Sequence, residues 1–426
     1  MALHVMDEAN HCLECKNPRC QQGCPIHTNI PEVIRLLKEN KLDEAGRMLF
    51  ENNPLTTVCS LVCNHENQCE GHCVQGIKGA PVHFSVIENY ISSTYASQMT
   101  HGPAESNGKR AAIVGSGPAG LTIAVILARY GYDVTIFESH DKIGGVLRYG
   151  IPEFRLPKTV LDDFEYRHLR LKDIKVRPNT DVGKALRIED LFRDGYKAVF
   201  IGTGVWRPNA LHIKGESLGH VHFAINYLQN PDVYHLGSRV VVIGAGNAAM
   251  DVCRTALRNG TRHVECFSLT KKITASDYEG SYAKLEGVQF HYNKKPLEIT
   301  DQGVVFCDLD EAEDGTLTPI PDSEKLYPAD SVIVSISQVP CTTITEDEKE
   351  LKTNERGLFV TDEVGRTNVP GIFASGDAVK GARTVVEAVA YSKKVAEAMH
   401  EYMQTLPAEA PDPYADVPVV AYADGN

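Results

Sequence analysis

The sequence predicts an α/β protein: a helical N-terminal domain followed by two Rossmann-like dinucleotide-binding domains, the second inserted in the first. Three observations lead there. Eight of the twelve cysteines lie before residue 74, in a stretch without strand-like runs up to about residue 105. Apolar strands opening at Arg110 and Arg239 each run into a glycine turn and then a helix, the way βαβ dinucleotide units begin. A late strand and turn, GIFASGDAV at 371–379, precedes a long helical segment. Its place suggests that the chain returns to the first unit after completing the second.

The expected division is 1–105 for the cysteine-rich helical domain, 110–235 with 341–405 for the first dinucleotide unit, and 236–340 for the second. Met99 to Lys109 is polar and glycine-containing, a linker signature. Residues 406–426 read as a mobile tail, rich in proline and without a basic residue. A chain of 426 residues has room for about three domains. Its formal charge of −13 lacks the basic balance of a nucleic-acid binder. No apolar run is long enough to span a membrane, and the opening MALHVMDEANHCLEC has neither a basic n-region nor an apolar stretch. The expected location is the cytoplasm.

Within the first domain, Pro31 to Ala45 places apolar residues at 33, 34, 37 and 42, near helical period. The cysteines fall into two sets, Cys12-x2-Cys15-x4-Cys20-x3-Cys24-Pro25 and Cys59-x3-Cys63-x5-Cys69-x3-Cys73. The first differs from the bacterial ferredoxin run only by a longer middle spacer, and in that run the fourth cysteine crosses to the other cluster. Crossing both ways gives one [4Fe–4S] cluster on Cys12, Cys15, Cys20 and Cys73. The other takes Cys24, Cys63, Cys69 and one more ligand, for which spacing alone nominates Cys59. CxxC is also a zinc spacing, but eight cysteines with a Cys-Pro ending fit iron–sulfur better. The four later cysteines read as small buried apolar residues.

Gly115-Ser-Gly117-Pro118-Ala119-Gly120 is a full GxGxxG between a strand and a helix, and Glu138 ends the next strand. The glycines allow a tight turn and close approach of a pyrophosphate to the helix N-terminus, while the acid accepts from a ribose hydroxyl. Gly144-Gly145 follows closely and suits FAD. Asp377, after Gly376, is a candidate ligand for ribityl or pyrophosphate oxygens and equally a helix N-cap. The second unit carries Gly244-Ala-Gly246-Asn247-Ala248-Ala249. The strand after it ends without an acid, in Ser268, Thr270, Lys271 and Lys272, which leans the nicotinamide from NAD toward NADP. No redox CxxC occurs after residue 73, and no nucleophile elbow, HExxH or P-loop is present.

Five stretches in fixed order carry a family resemblance: Cys12 to Cys24, Cys59 to Cys73, GSGPAG, GGVLRYGIPEFRLPK at 144–158, and GAGNAAMD at 244–251. From residue 10 to about 403 the chain resembles the small subunit of glutamate synthase. It is also similar to the N-terminal half of dihydropyrimidine dehydrogenase, to the NAD-linked bacterial subunit of that enzyme, and to the large subunit of the bifurcating NADH–ferredoxin:NADP oxidoreductase. The resemblance implies two [4Fe–4S] clusters, FAD in the first dinucleotide unit and nicotinamide in the second. Hydride would pass to FAD and single electrons through the clusters, with no side chain needed as acid or base. A partner subunit, a glutamate synthase large chain or a dihydropyrimidine-reducing chain, would perform the final chemistry. The resemblance also implies Glu88, seven residues after Pro81, as the fourth ligand of the second cluster in place of Cys59. It implies Arg155 as an FAD contact and Thr384 beside the flavin ring, with its helix N-terminus aimed there. NADP-linked members place paired basic residues where Leu269 and Thr270 stand here, and Asn247 replaces an aspartate. A rival of another class is a non-catalytic electron-transfer or assembly module without nicotinamide binding; a third reading is a diaphorase with no obligate partner.

Overall fold

The computed structural model describes residues 2–98 and 102–407. Most of the expected tail, and the start of the expected linker, lie outside the described residues. The first domain is helical, with helices at Ala2–His11, Arg19–Gly23, Ile30–Lys38, Leu42–Asn52, Thr56–Val62 and Phe84–Gln98. The segment read as one apolar period is two helices. The chain turns at Asn40, which holds φ 58°, a left-handed conformation that asparagine tolerates better than most residues. Val33, Ile34 and Leu37 from one helix and Ala45 and Leu49 from the next then face one core with Ile87 and Ile91.

Two parallel sheets follow. In the first, the order is Ile372–Ala374, Tyr196–Ile201, Arg110–Val114, Asp133–Phe137, Lys175–Arg177. In the second it is Val221–Phe223, Ser331–Val334, Arg239–Ile243, His263–Phe267, Gln289–His291. Ile372–Ala374 pairs in parallel with Tyr196–Ile201, so the chain does come back to the first sheet and the second unit is an insertion. The expected boundary at 236 is too late, because Val221–Phe223 already pairs with Ser331–Val334 in the second sheet. The outgoing and returning chains meet instead as an antiparallel ribbon, Arg207–Pro208 against Gln338–Val339. An antiparallel layer of Lys294–Thr300, Gly303–Glu311, Leu317–Pro319 and Lys325–Pro328 covers the second unit, an element the sequence reading did not identify. Central strands such as Arg110–Val114 are buried after their first residue, as parallel strands covered on both faces must be. Among the described residues no helix is long and apolar enough to cross a membrane.

The cysteine domain is joined to the first dinucleotide unit by an apolar seam. Leu55, Val58 and Cys59 share a cluster with Ala119 and Leu121. Beside it, His168 is buried and stacks between Phe50 at 4.8 Å and Phe164 at 4.7 Å. Burial pushes its pKa down to about 3 from 6.5, with nearby Arg129, Lys172 and Arg167 adding to the shift. The folded chain therefore holds this ring neutral. Its stabilising effect is complete above pH 6.5 and lost as the pH falls toward 3. Between about pH 6.5 and 5 the loss approaches roughly 2 kcal/mol. Urea midpoints measured over that window should fall, and His168→Phe should flatten the slope; an unchanged slope in the variant would place the titration elsewhere.

Candidate functional site

A cavity of about 1400 Å³ lies where the three domains converge. Most residues expected to meet a dinucleotide line it; Gly120, Gly144, Ala249, Lys271 and Lys272 do not. Gly115 turns at φ +96°, and a Cβ there would stand 2.6 Å from the Gly202 carbonyl oxygen. Gly117 differs. Its φ of −69° is open to any residue, and a Cβ would meet nothing within 4 Å. The protein itself does not need glycine there. Gly120 packs helix against strand from behind, where a Cβ would lie 2.0 Å from the Gly115 oxygen.

Glu138 is buried at the end of its strand. Its Oε2 accepts from the Ser116 amide at 2.9 Å and its Oε1 from the His140 amide at 2.8 Å. Burial would raise this carboxyl, but the hydrogen bonds from His140 and Ser116 outweigh it and hold it below its ordinary value. The acid therefore braces the glycine turn as well as facing the cavity. Asp377 is not the cap of its short helix; Gly376 is, at φ 67°. The Asp377 Oδ1 accepts from the Arg383 amide at 3.1 Å, and burial pushes its pKa up to about 6. Thr384 caps the helix Val385–Gln404 in a reciprocal box with Glu387.

In the second unit Gly246 caps the helix Asn247–Arg258, and Asn247 Oδ1 accepts from the Ser276 amide at 2.9 Å. Ala249 is buried behind the turn. Ser268, Leu269 and Thr270 line the cavity, but Lys271 and Lys272 do not. Lys271 instead lies 3.7 Å from Glu311, which weakens it as support for a 2′-phosphate seat. Arg155 has protein partners the sequence did not indicate. It lines the cavity, yet its guanidinium is held by Asp251 at 2.8 Å and Glu279 at 2.8 Å, both from the second unit.

Four residues of this region were missed in the sequence. His140 stacks on Tyr149 at 4.4 Å and lies 5.1 Å from the ring of Trp206, forming an aromatic wall beside Glu138. Lys158 donates to Leu147 O at 2.9 Å and to Ile151 O, tying down the loop that follows Gly145; burial lowers its pKa to about 8. Only the position of His140, two residues after Glu138, was a local signal.

The cysteines lie in two adjoining neighbourhoods. Cys12, Cys15, Cys20 and Cys73 line one small cleft, and so does Cys69, which was expected with the other set. Burial pushes the Cys20 thiol up to about 11, and the neighbouring Cys73, Cys12 and Cys15 push the same way. In the second neighbourhood Cys63 is raised well above its ordinary value by a hydrogen bond with Cys59, by burial, and by Cys59, Glu88 and Cys69. Cys69 is raised by burial first, then by Glu88, Glu70 and Cys24. Glu88 is buried, accepts from Thr56 Oγ1 at 2.6 Å, and is pushed up to about 7 by burial. Among the described residues no three such side chains close on a single-ion site. Acid-forming groups crowded this way penalise one another's charged forms, and a positively charged metal centre reverses that penalty. The donors fit a thiolate-ligated cluster. Cys63 also lines the large cavity, so the second neighbourhood abuts the dinucleotide space.

The comparisons with known proteins agree with this geometry. Residues 2–100 match the family model described as dihydropyrimidine dehydrogenase domain II, 4Fe-4S cluster. Residues 109–392 match that of pyridine nucleotide-disulphide oxidoreductases. The small chain of glutamate synthase [NADPH] from Escherichia coli is 32% identical, over 93% of this chain and 91% of its own length. That of Azospirillum brasilense is 34% identical, over 95% and 90%. The NAD-dependent dihydropyrimidine dehydrogenase subunit PreT of Salmonella typhimurium is 30% identical, over 94% and 95%. FprA from Mycobacterium tuberculosis in complex with NADPH shares the fold at TM-score 0.59 and 18% identity, covering 70% of this chain and 85% of that one. A positioned glycine turn on each sheet, a thiol-rich helical domain and these relatives together place the chain in the pyridine nucleotide-disulphide oxidoreductase family, as a glutamate synthase small chain-like, FAD-dependent NAD(P)H oxidoreductase with an iron–sulfur domain.

Proposed function

We propose that this chain carries electrons between a nicotinamide dinucleotide and a partner subunit, through FAD and two [4Fe–4S] clusters. The observation that carries the reading is the shared cavity: the Gly115–Ala119 turn, the Gly244–Ala248 turn and Cys63 all face it. FAD, when bound, supplies the exchange between two-electron hydride chemistry and one-electron transfer. The chain's own part is to hold and orient. Gly117 and the helix beginning at Pro118 seat the pyrophosphate, Glu138 the ribose, and Asp377 and Thr384 the far end of the flavin. Gly246 and Asn247 seat the nicotinamide dinucleotide. Cys12, Cys15, Cys20 and Cys73 hold one cluster; Cys24, Cys63, Cys69 and Glu88 hold the other, beside the flavin space. A glutamate synthase large chain is the first partner to test and a dihydropyrimidine-reducing chain the second, because full-length relatives of both kinds match nearly all of this chain.

Oxygen-free stopped flow with NADH and NADPH should bleach the flavin with at least one of them. Iron and acid-labile sulfide should each reach about eight per chain, from two four-iron clusters. No bleaching with either nucleotide would leave the rival of a non-catalytic electron-transfer module, and about four irons would reduce the clusters to one.

A further inference from the structure

The chain passes between the two dinucleotide units twice, the two passages pairing as a short ribbon at 207–208 and 338–339, and the short helix Val146–Tyr149 of the first unit packs near Ala224–Gln229 of the second. A side-chain cluster also bridges them. Phe154 and Arg155 belong to the first unit. Arg155 Nη1 donates to both oxygens of Asp251, at 2.9 and 2.8 Å, and its Nε lies 2.8 Å from Glu279 Oε1. Arg254 takes the other Glu279 oxygen at 2.7 Å and pairs with Glu286 at 2.9 Å. Arg258 reaches the same Glu286 oxygen at 2.8 Å. The guanidinium groups of Arg254 and Arg258 lie over the Phe154 ring, at 4.6 and 4.2 Å.

Three arginines thus balance three carboxylates, and of the six only Arg155 comes from the first unit. Asp251 and Glu279 are buried, so removing Arg155 leaves two carboxylates short of their partner away from water. The seat is also connected to the nucleotide turn. Ser276 caps the helix Asp277–Leu285 that carries Glu279, and its amide donates to Asn247 Oδ1. From the cysteine domain, Glu66 Oε1 accepts from the Tyr278 amide at 3.1 Å. All three domains therefore bear on the first turn of one helix.

We propose that Phe154 and Arg155 form a clamp, seated on Asp251 and Glu279, that sets the angle of the second dinucleotide unit against the first. Arg155 is then a positioning residue for hydride transfer and not a flavin contact. The role in hydride transfer rests on the assignment of FAD and nicotinamide to the two units.

The test uses full-length Arg155→Ala carrying its cofactors. Iron and FAD content should match the parent, and photochemical reduction of the flavin should run at the parent rate. Bleaching by saturating NADH or NADPH should slow at least tenfold, with the half-saturating concentration changed less than threefold. Arg155→Lys should recover part of the rate, since a single ammonium cannot fork between two carboxylates. Hydrogen–deuterium exchange should rise over 150–157 and 277–285 while strands Arg110–Val114 and Arg239–Ile243 stay protected. Parent-like bleaching overturns the clamp, as does a rate loss matched by lost FAD, which would make Arg155 a flavin contact. Should Arg155→Ala not fold, Phe154→Ala must raise exchange over the same two segments, and unchanged exchange there overturns the proposal. If the parent is bleached by neither nucleotide, the cofactor assignment fails while the exchange measurement still decides the clamp.

Discussion

Glu88→Ala should emerge from oxygen-free purification with iron reduced from about eight toward about four per chain, and with one cluster's EPR signal lost or shifted. Cys59→Ala should keep both signals. The difference follows from where the two side chains stand. Glu88 projects from the helix Phe84–Gln98 into a buried site where the Thr56 hydroxyl is its hydrogen-bond donor, and burial has pushed it up to about 7. A carboxylate buried without a cation is costly, and its neighbours Cys63 and Cys69 would be anions too once they bind metal. The site makes electrostatic sense with a metal centre in it. Cys59 sits one helical turn before Cys63 in Thr56–Val62 and belongs to the apolar seam with Leu55 and Ala119. Truncating it removes one buried sulfur, about 1 kcal/mol of packing, and no ligand. An oxygen ligand is harder than thiolate and tunes the cluster's potential, so Glu88→Cys should retain iron while shifting the midpoint potential. Loss of a signal in Cys59→Ala with Glu88→Ala unaffected would exchange the two roles.

What the sequence disclosed was what is local. A strand, a glycine turn and a helix are contiguous, so both nucleotide turns and the insertion of one unit in the other could be read directly. Cysteine spacing marked the first neighbourhood because Cys12, Cys15 and Cys20 lie within one short stretch. Where spacing had to bridge a fold, it could not choose: Cys59 hydrogen-bonds Cys63, while Glu88 reaches the same neighbourhood from a helix that begins after residue 83. The boundary at 236 failed because Val221–Phe223 is a three-residue, half-buried strand at a sheet edge, too short to show a period. Arg155 escaped for a different reason. Its partners lie far along the chain, and the direction of a long side chain at a domain joint is set by tertiary packing. Lys271 and Lys272 were weighed from their place after the second strand of the unit, whereas Lys271 is engaged by Glu311, far along the chain.

Gly117→Ala should fold like the parent and lose FAD, with affinity falling about a hundredfold, roughly 3 kcal/mol. The backbone at Gly117 is ordinary, and the added methyl would meet no protein atom within 4 Å. It projects instead into the cavity, at the N-terminus of Pro118–Arg129, where amides and helix dipole would receive a pyrophosphate. A methyl there pushes phosphate oxygens off the amides and forfeits several charge-assisted hydrogen bonds at once. Gly120→Ala is the control with the opposite signature. Its methyl would stand 2.0 Å from the Gly115 carbonyl and 3.2 Å from Ile113 Cγ2, so the helix must move off the strand. Overpacking of that kind costs about 1–3 kcal/mol and should lower the melting temperature of the flavin-free chain, which Gly117→Ala leaves unchanged. Flavin absorbance per chain, measured beside thermal unfolding of the stripped protein, separates the two effects. Full flavin occupancy in Gly117→Ala would mean that the pyrophosphate does not rest on this turn, and the placement of FAD in the first unit would have to be redrawn.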